Sequence, residues 1–311
     1  MPCYNMGDYL DESLDSLYGQ SYDNFNIIIA DDASPSKSTL DKLATIDRPR
    51  CRIYYENRNL GLVKISNKYI DKLNAEYVLL FSPDDKLHPD FLKEQVEYLD
   101  NNPDIQAVCT WVQEFGDGHD LIKYNDKLSK LPHMLVENNF SGAALVRKAA
   151  WVAAGRYDTD KDFYPNLDYE LWMSMLEKGF KLGTIPRPYF YWRVVRTSLS
   201  HRMSPKDLLA FRMALLKKYA NLYEKHSSFV ISHNLKLISK FEEYYITSSE
   251  GHDWLDKEYE RLSRLVDQLS EENTILTSRL RRSIEQPYLR STLGKIRRYL
   301  KRTIPRSSSK S

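Results

Sequence analysis

Short apolar runs alternate with helical patterns along the first 110 residues of this 311-residue chain. Three runs are strand-like, at 25–30, 52–55 and 77–81, and apolar residues recur at helical spacing around 40–46 and 62–73. Strands that are apolar along their length and separated by helices are typical of parallel sheets covered on both faces. The alternation therefore predicts an α/β fold with a mostly parallel sheet flanked by helices.

Paired aspartates follow two of these predicted strands. Asp31-Asp32 ends the first run, and Asp84-Asp85 comes after the third. Ligands of open α/β sheets bind beyond the carboxyl ends of the strands, and Mg²⁺ and Mn²⁺ prefer carboxylate oxygens together with substrate phosphates and water. An isolated aspartate pair is more often a turn or a helix cap. Other residues must decide between a metal site and a loop.

Further motifs stand in order around these aspartates, over residues 1–200. They are Pro2-Cys3-Tyr4-Asn5, Ile27 to Ser34, Asn57 to Gly61, Ala75 to Asp85 and Asp168 to Trp172. Each is weak alone, but together they resemble family 2 glycosyltransferases. The resemblance implies the GT-A fold, a Rossmann-like, mostly parallel sheet flanked by helices. It also implies transfer of a sugar from a nucleoside-diphosphate donor to an acceptor hydroxyl, of the type found in bacterial cell-surface polysaccharide synthesis.

The resemblance assigns most of the matching residues to the sugar donor. Tyr4, Asn5, Asp31 and Asp32 match the pocket for the base and ribose. The other donor-binding positions that match are Asn59, Gly61, Lys64, Asp84 and Arg193. Asp85 matches the ligand of a Mn²⁺ or Mg²⁺ ion. From the residues alone, Asp31-Asp32 is equally a turn after a strand, and Lys64 an exposed helix lysine.

The expected metal site lacks one residue that members of the family often have. They follow an aromatic-Arg pair with a histidine two residues later, but here Trp192-Arg193 precedes Val194-Val195. His201 is near in sequence, although a lone histidine in a polar segment is usually solvated. We therefore expect Asp85, the donor phosphates and water to hold the metal.

Asp168 matches the general base of inverting members of the family. Such a base must reach the acceptor hydroxyl whose proton it removes. An aspartate at the start of a predicted helix over 168–178 is equally suited to cap that helix. The family usually has an acidic pair here, whereas this chain has Leu167-Asp168, so Glu170 is the second catalytic candidate. Trp172 is expected to be core or a sugar platform.

The C-terminal part of the chain carries a heptad pattern. Leucines recur every seven residues from Leu255 to Leu276, and a second set, with a polar Asn273, falls between them. This pattern predicts a coiled coil over 251–286 and a homodimer. After Pro287, residues 288–304 carry Leu and Ile at helical spacing among Arg and Lys, which predicts a basic amphipathic helix.

Positive charge is concentrated at this end. Residues 279–311 hold eleven Lys or Arg and one acid, although the net charge of the chain is only +2. These charges alternate with Leu and Ile and not with stacking aromatics, which favours an anionic membrane surface over nucleic acid. We expect 288–304 to contact lipid, and we expect no nucleic-acid partner.

The patterns divide the chain into four parts, and these are a transferase domain (1–200), a helical extension (201–250), the coiled coil (251–286) and the basic tail (287–311). The segment Pro2 to Asn5 looks like the exit of a strand that nothing precedes, so the first strand is expected to be truncated. Three scattered cysteines and the lack of a long apolar run or leader predict a cytoplasmic protein. With its tail it would be peripheral at the inner face of the cell membrane, acting on a glycan or lipid-linked acceptor.

A non-catalytic protein is the alternative. A degraded transferase domain would then only present the coiled coil and the tail, as a dimeric, membrane-associated interaction protein. The truncated strand, the missing histidine and Leu167 favour this alternative. The aspartates at 31, 32, 84, 85 and 168 favour the enzyme, because a decayed site tends to lose carboxylates that are costly to keep.

Overall fold

The structure is a computed structural model and describes residues 1–195 and 204–247. His201, the predicted coiled coil and the predicted basic tail lie outside the described residues. The chain divides into two compact units, Met1–His233 and Asn234–Ser311. The description of the second unit is confined to residues 234–247, which are helical.

The first sheet has three parallel strands in the order β1-β2-β3. They are β1 (Pro2–Cys3), β2 (Ile27–Asp31) and β3 (Cys51–Tyr55). The helices that follow these strands are α1 (Leu10–Tyr18), α2 (Lys37–Ala44) and α3 (Leu62–Lys72). The central strand β2 is buried at Ile27, Ile29 and Ala30, as its apolar sequence predicts. The parallel strands predicted at 25–30 and 52–55 are confirmed, and β1 is two residues long.

The second sheet has six strands and is mixed. The strands are β4 (Tyr77–Val78), β5 (Lys86–Leu87), β6 (Ile105–Gly116), β7 (Leu121–Ile122), β8 (Ala144–Arg147) and β9 (Lys181–Val194). Their order is β4-β8-β6-β9-β5, with β7 paired to β6. The long strands β6 and β9 are parallel, and the other pairs are antiparallel.

The run at 77–81 was expected to be a parallel strand, and this expectation is wrong. Only Tyr77–Val78 is a strand, and it pairs antiparallel with β8. The Arg147 guanidinium secures this pairing, because it donates to Tyr77 Oη at 3.1 Å and to Glu76 at 3.2 Å. A strand that is buried on both faces has the same apolar sequence in either direction, so the sequence could not reveal the difference.

Six helices complete the described part of the fold. They are α4 (Phe91–Asn101), α5 (Lys148–Ala154), α6 (Leu167–Glu177), α7 (Pro205–Lys218), α8 (Ala220–Lys225) and α9 (Ser227–Thr247). Helix α6 is buried on nearly all sides because most of its residues are apolar. It ends at Gly179, whose φ of +80° requires a glycine and lets Phe180 N–H donate to Met175 O at 3.0 Å.

Two large cores hold the elements in place. One packs α5, α6 and α7 together through Trp151, Trp172 and Phe211, and the other packs α1 and α4 against the first sheet. A cavity of about 920 Å³ lies between the two sheets, and none of the candidate site residues lines it. Among the residues that the structure describes, no helix is long and apolar enough to cross a bilayer.

Candidate active site

Asp32 fixes the loop that carries the predicted donor segment. It follows β2, is 4% exposed, and accepts Leu60 N–H at 2.7 Å and Gly61 N–H at 2.9 Å with its two carboxylate oxygens. Gly61 has φ +81° and ψ 153°, a conformation that essentially only glycine adopts. Asn59 and Lys64 lie exposed on either side of it. The structure thus gives Asp32 a positioning role, and its contact with the nucleotide stays a prediction.

The predicted base pocket lies at the carboxyl ends of β1 and β2. Asp31 is 1% exposed, and its Oδ2 accepts Ser34 N–H at 3.1 Å. Its Oδ1 is buried without a partner in the described part of the chain. Asn5 has φ +55°, donates its N–H to Ser34 Oγ at 2.9 Å and accepts Ser36 N–H at 3.1 Å. Asn5 and Asp31 are thus linked through Ser34, and Tyr4 beside Asn5 is 46% exposed.

Asp85 is a buried carboxylate at the edge of the second sheet. It is 6% exposed, and its Oδ1 accepts Arg193 N–H at 2.9 Å. Burial and the neighbouring Asp84 charge raise the pKa of Asp85 well above its usual value. Asp84 is half-buried and accepts the Ser82 hydroxyl. Ionising Asp85 where it lies is therefore costly without a compensating cation.

Arg193 is a structural partner of this pair. Its Nε donates to Asp84 O at 2.9 Å, its Nη2 pairs with Glu12, and its guanidinium lies 4.3 Å from the centre of the Phe115 ring. Glu12 also accepts Lys86 Nζ at 2.7 Å. The predicted diphosphate contact of Arg193 stays a prediction. Glu12 was not foreseen, because an acid in the first turn of a helix gives no signal of a partner so far along the chain.

The aspartate pair fits a divalent cation with few protein ligands. The described residues contain no group of three or more His, Cys, Asp or Glu side chains that could enclose a metal. Mg²⁺ and Mn²⁺ are commonly held by one or two carboxylates, with phosphate and water completing the shell. The burial of Asp85 next to a second carboxylate, Asp84, is the observation that favours this fit, since a cation would offset the cost of ionising both.

Asp168 stands at the start of α6, beside the loop before β8. It is half-buried, and its Oδ2 accepts Asn138 Nδ2–H at 3.3 Å. A Cβ atom at Gly142 would lie 3.1 Å from the same oxygen, so a glycine leaves room for the carboxylate. Burial raises the pKa of Asp168 above its usual value. The N-cap position belongs to Asn166, so the interpretation of Asp168 as a simple N-cap is wrong.

Glu170 is held on a different side of α6. It is 1% exposed and accepts Lys218 Nζ at 2.6 Å and the Tyr219 hydroxyl, both from the region of α7 and α8. Residues two apart on a helix do not face each other. The structure therefore does not bring Glu170 to the Asp168 carboxylate, contrary to the catalytic sharing that the sequence suggested. Trp172 is fully buried edge-on to Phe140, which makes it core and not a sugar platform.

The comparisons with known proteins agree with this geometry. A family model described as "Glycosyl transferase family 2" matches residues 1–156. The Bacillus subtilis protein TuaG, named as a teichuronic acid biosynthesis glycosyltransferase, is 26% identical over 205 residues, which are 64% of this chain and 79% of TuaG.

Two solved structures share the fold. TarS of S. aureus, in complex with UDP-GlcNAc, superposes with a TM-score of 0.58 at 16% identity, over 78% of this chain and 76% of that one. The mannosyltransferase PcManGT of Pyrobaculum calidifontis, in complex with GDP-Man and Mn²⁺, superposes with a TM-score of 0.51 at 14% identity, over 87% and 86%. The predicted α/β fold of the GT-A type is confirmed.

Proposed function

This chain belongs to glycosyl transferase family 2 and is a glycosyltransferase, and we propose that it moves a sugar from a nucleoside diphosphate to a hydroxyl group of a growing surface polysaccharide. The relative named for teichuronic acid biosynthesis supports the acceptor class, a glycan or a lipid-linked glycan. The neighbour in complex with UDP-GlcNAc supports a nucleotide-sugar donor. We further propose an inverting reaction that depends on a divalent metal.

The observation that carries this proposal is the buried carboxylate of Asp85 beside Asp84. Asp85, with Asp84, would hold Mn²⁺ or Mg²⁺ together with the donor phosphates. A bound cation would neutralise the charge that develops on the diphosphate leaving group. Support comes from the mannosyltransferase of the same fold, which is described with Mn²⁺.

The donor pocket is supported by the contacts around Asp31 and Asp32. We propose that the unpartnered Asp31 Oδ1 accepts an N–H of the nucleotide base when the donor binds, because a buried carboxylate oxygen without a donor is costly. Asp32 keeps the loop of Asn59, Gly61 and Lys64 in shape through its bonds to Leu60 and Gly61 N–H. Lys64 is exposed and supplies a positive charge near the expected phosphates.

Asp168 is the proposed general base. Its pKa is raised by burial, which makes the carboxylate a stronger proton acceptor than an exposed aspartate. The acceptor oxygen would bond to the anomeric carbon while the bond from that carbon to the diphosphate breaks. The acceptor proton would pass to Asp168. Attack from the face opposite the leaving group inverts the anomeric centre.

The non-catalytic alternative is disfavoured by the burial of the aspartates. Asp31, Asp32 and Asp85 are each less than a tenth exposed. Keeping charged groups out of water destabilises the native state, so a protein without use for them would be more stable without them. The carboxylates that remain are those that the transfer reaction requires.

The C-terminal parts extend the proposal. We propose that 251–286 forms a coiled-coil homodimer and that 288–304 binds an anionic membrane surface at the cytoplasmic face. The basic amphipathic sequence supports this arrangement. A lipid-linked acceptor would then be presented next to the transferase domain (1–200) and its helical extension (201–250).

A titration of donor binding tests the metal assignment. The full chain would be titrated calorimetrically with UDP-GlcNAc, and with other nucleotide sugars, in Mn²⁺ and in EDTA. Wild type should bind more tightly in Mn²⁺, and Asp85→Ala should lose that advantage, by roughly tenfold or more in affinity. Asp41→Asn, an exposed aspartate, is the control. Equal binding by wild type and Asp85→Ala in both conditions would contradict the role of Asp85.

A further inference from the structure

Three consecutive backbone carbonyls before β8 are held by side chains from three helices. Met134 O accepts the Tyr169 hydroxyl at 2.6 Å, Leu135 O accepts the Tyr223 hydroxyl at 2.8 Å, and Val136 O accepts Arg212 Nη1 at 2.9 Å. The donors belong to α6, α8 and α7 respectively. We call Tyr169, Arg212 and Tyr223 the carbonyl clamp. It fixes the backbone of 134–136 from the side of the helical extension.

The clamp is a connected, largely buried unit. Tyr169 is 2% exposed and Tyr223 is 9% exposed. Arg212 donates to Tyr169 Oη at 3.3 Å and lies over the Tyr169 ring, 5.6 Å from its centre. A buried carbonyl that loses its donor pays the full desolvation penalty, so the three contacts resist being opened one at a time.

The clamped segment 134–136 leads directly to Asn138, which contacts Asp168. Asn138 follows Val136 by two residues, and both ends of its amide are used. Its Nδ2 donates to Asp168 Oδ2 at 3.3 Å, and its Oδ1 accepts Phe140 N–H at 3.3 Å. These two bonds set the orientation of the amide. Asn138 therefore engages one oxygen of the Asp168 carboxylate and restrains its orientation.

We propose that Asn138 is a positioning residue for Asp168 and that the carbonyl clamp, supplied largely by the helical extension, holds Asn138 in place. The inference rests on the proposed function, in which Asp168 is the base. It assigns a task to α7 and α8, whose sequence shows no catalytic motif. The neighbouring Asn139 offers a matched control, since its side chain donates to Glu137 O and not to Asp168.

The first test is a ¹³C NMR titration of Asp168 in the full chain, with Asp168→Asn to assign its signal. The titratable groups that feel the Asp168 charge are Tyr124 and Tyr157, whose raised pKa values leave them neutral below pH 9. Asn138→Ala should move the Asp168 midpoint upward by about one pH unit, because a hydrogen bond to the charged form is lost. Asn139→Ala should leave it in place. An unchanged midpoint in Asn138→Ala, or an equal shift in both variants, overturns the proposal.

The second test opens the clamp from a distance. Arg212→Ala should speed hydrogen exchange of the amides of Leu135, Val136 and Glu137 and move the Asp168 midpoint upward, as Asn138→Ala does. Arg212→Lys keeps a donor and should change the exchange rates and the Asp168 midpoint less. Lys217→Ala, at an exposed position on the same helix, should change neither the exchange rates nor the midpoint. Faster exchange with an unchanged Asp168 midpoint would mean that the clamp stabilises the segment without positioning Asn138, and this result would overturn the proposal. If Arg212→Ala does not fold, Arg212→Lys and Asn138→Ala still decide.

These outcomes are separate from those of the proposed function. If Asp168→Asn retained full sugar transfer, Asp168 would not be the base, whatever Asn138 does to its titration. If instead Asn138→Ala left the Asp168 midpoint unchanged, the positioning role would fail while Asp85 and the transfer reaction stood untouched.

Discussion

At the scale of one residue, Asp85 is a carboxylate that is costly to ionise in its buried position. Its carboxylate is almost fully out of water, with Asp84 beside it and one backbone N–H on its Oδ1. Because its pKa is raised, the native state keeps the proton to higher pH than the unfolded state does. Stability must therefore fall as pH rises from the usual carboxyl value through the raised pKa of Asp85.

Asp85→Asn should remove this loss. At pH 7 and without divalent cations, we expect the free energy of unfolding to rise by about 1 kcal/mol, since an amide costs less to bury than a carboxylate. Asn can still accept Arg193 N–H through its Oδ1. Thermal unfolding between pH 4 and pH 8 measures the effect. A variant that is less stable than wild type at pH 7, with the same dependence on pH, would contradict this account.

Ionisation of Asp168 should determine how the rate of sugar transfer falls at low pH. A base must be deprotonated, and burial raises the pKa of Asp168, so kcat/KM for transfer should increase with pH through a value above that of an ordinary aspartate. Asp168→Asn should lower kcat by on the order of a hundredfold or more, the contribution typical of a general base. Rates of nucleotide release across pH measure both. A wild-type rate in Asp168→Asn would exclude the base role, and Asp41→Asn controls for a general effect of removing an acid.

The sequence motifs pointed to Asp85 and Asp168 as candidates, but not to Asn138, Glu12 or Arg212. Each aspartate belongs to a motif of consecutive residues, and such a motif can be recognised in the sequence without knowledge of the fold. Asn138, Glu12 and Arg212 act through contacts with residues that are distant in the chain, where no spacing rule applies. For the same reason the sequence could not show that Lys218 and Tyr219 bind Glu170 on a side of α6 away from Asp168.

At the scale of elements, an ion pair between the exposed Lys218 and the buried Glu170 joins α7 to α6. Lys218 donates to Glu170 Oε1 at 2.6 Å and to Asp158 Oδ2 at 2.6 Å. Glu170 Oε2 has no partner among the described residues. Burial alone would lower the pKa of Lys218, but its bonds to Asp158 and Glu170 raise it. This stabilisation is present below the usual lysine pKa and is lost as pH rises through the raised value.

Removing one partner of this ion pair should lower the stability of the protein, and removing the second charge as well should restore part of it. Lys218→Met leaves Glu170 buried without its cation and should lower the free energy of unfolding by about 1–2 kcal/mol, less than for a fully buried pair because Lys218 is 37% exposed. The double variant Lys218→Met, Glu170→Gln should recover much of that loss. Lys217→Met, exposed beside it, should be nearly neutral. Urea unfolding of the four proteins measures these differences, and equal losses in the single and double variants would argue against a coupled pair.

At the scale of the whole molecule, the order of strands and helices in the first sheet was predictable and the second sheet was not. Alternating apolar runs give the parallel order β1-β2-β3, because the pattern is local. The long pairing of β6 with β9 joins segments about 75 residues apart and carries bulges, which leave no periodic signature. The helical extension likewise showed no catalytic motif in its sequence. The structure nevertheless includes its first part, up to His233, in the same compact unit as the transferase domain.

The coiled coil and the tail give a prediction for the full chain. A chain ending at Ile284 should lose most of its partition onto vesicles with anionic lipid, since it lacks 288–304. A chain ending at Glu250 should sediment as a monomer where the full chain is a dimer. Vesicle co-sedimentation and sedimentation velocity at micromolar concentration measure these. Equal partition with and without 288–304 would refute the membrane contact, and a monomeric full chain would refute the coiled coil.

The carbonyl clamp limits how this enzyme could be recombined with its relatives. The family match ends at residue 156, which makes a crossover near that point attractive for building hybrids. Such a hybrid would take the carbonyls of Met134 to Val136 from one parent and Arg212 and Tyr223 from the other. Crossovers placed after α8 keep donors and carbonyls in one inherited block. Shuffled libraries should therefore yield active hybrids mainly from that junction.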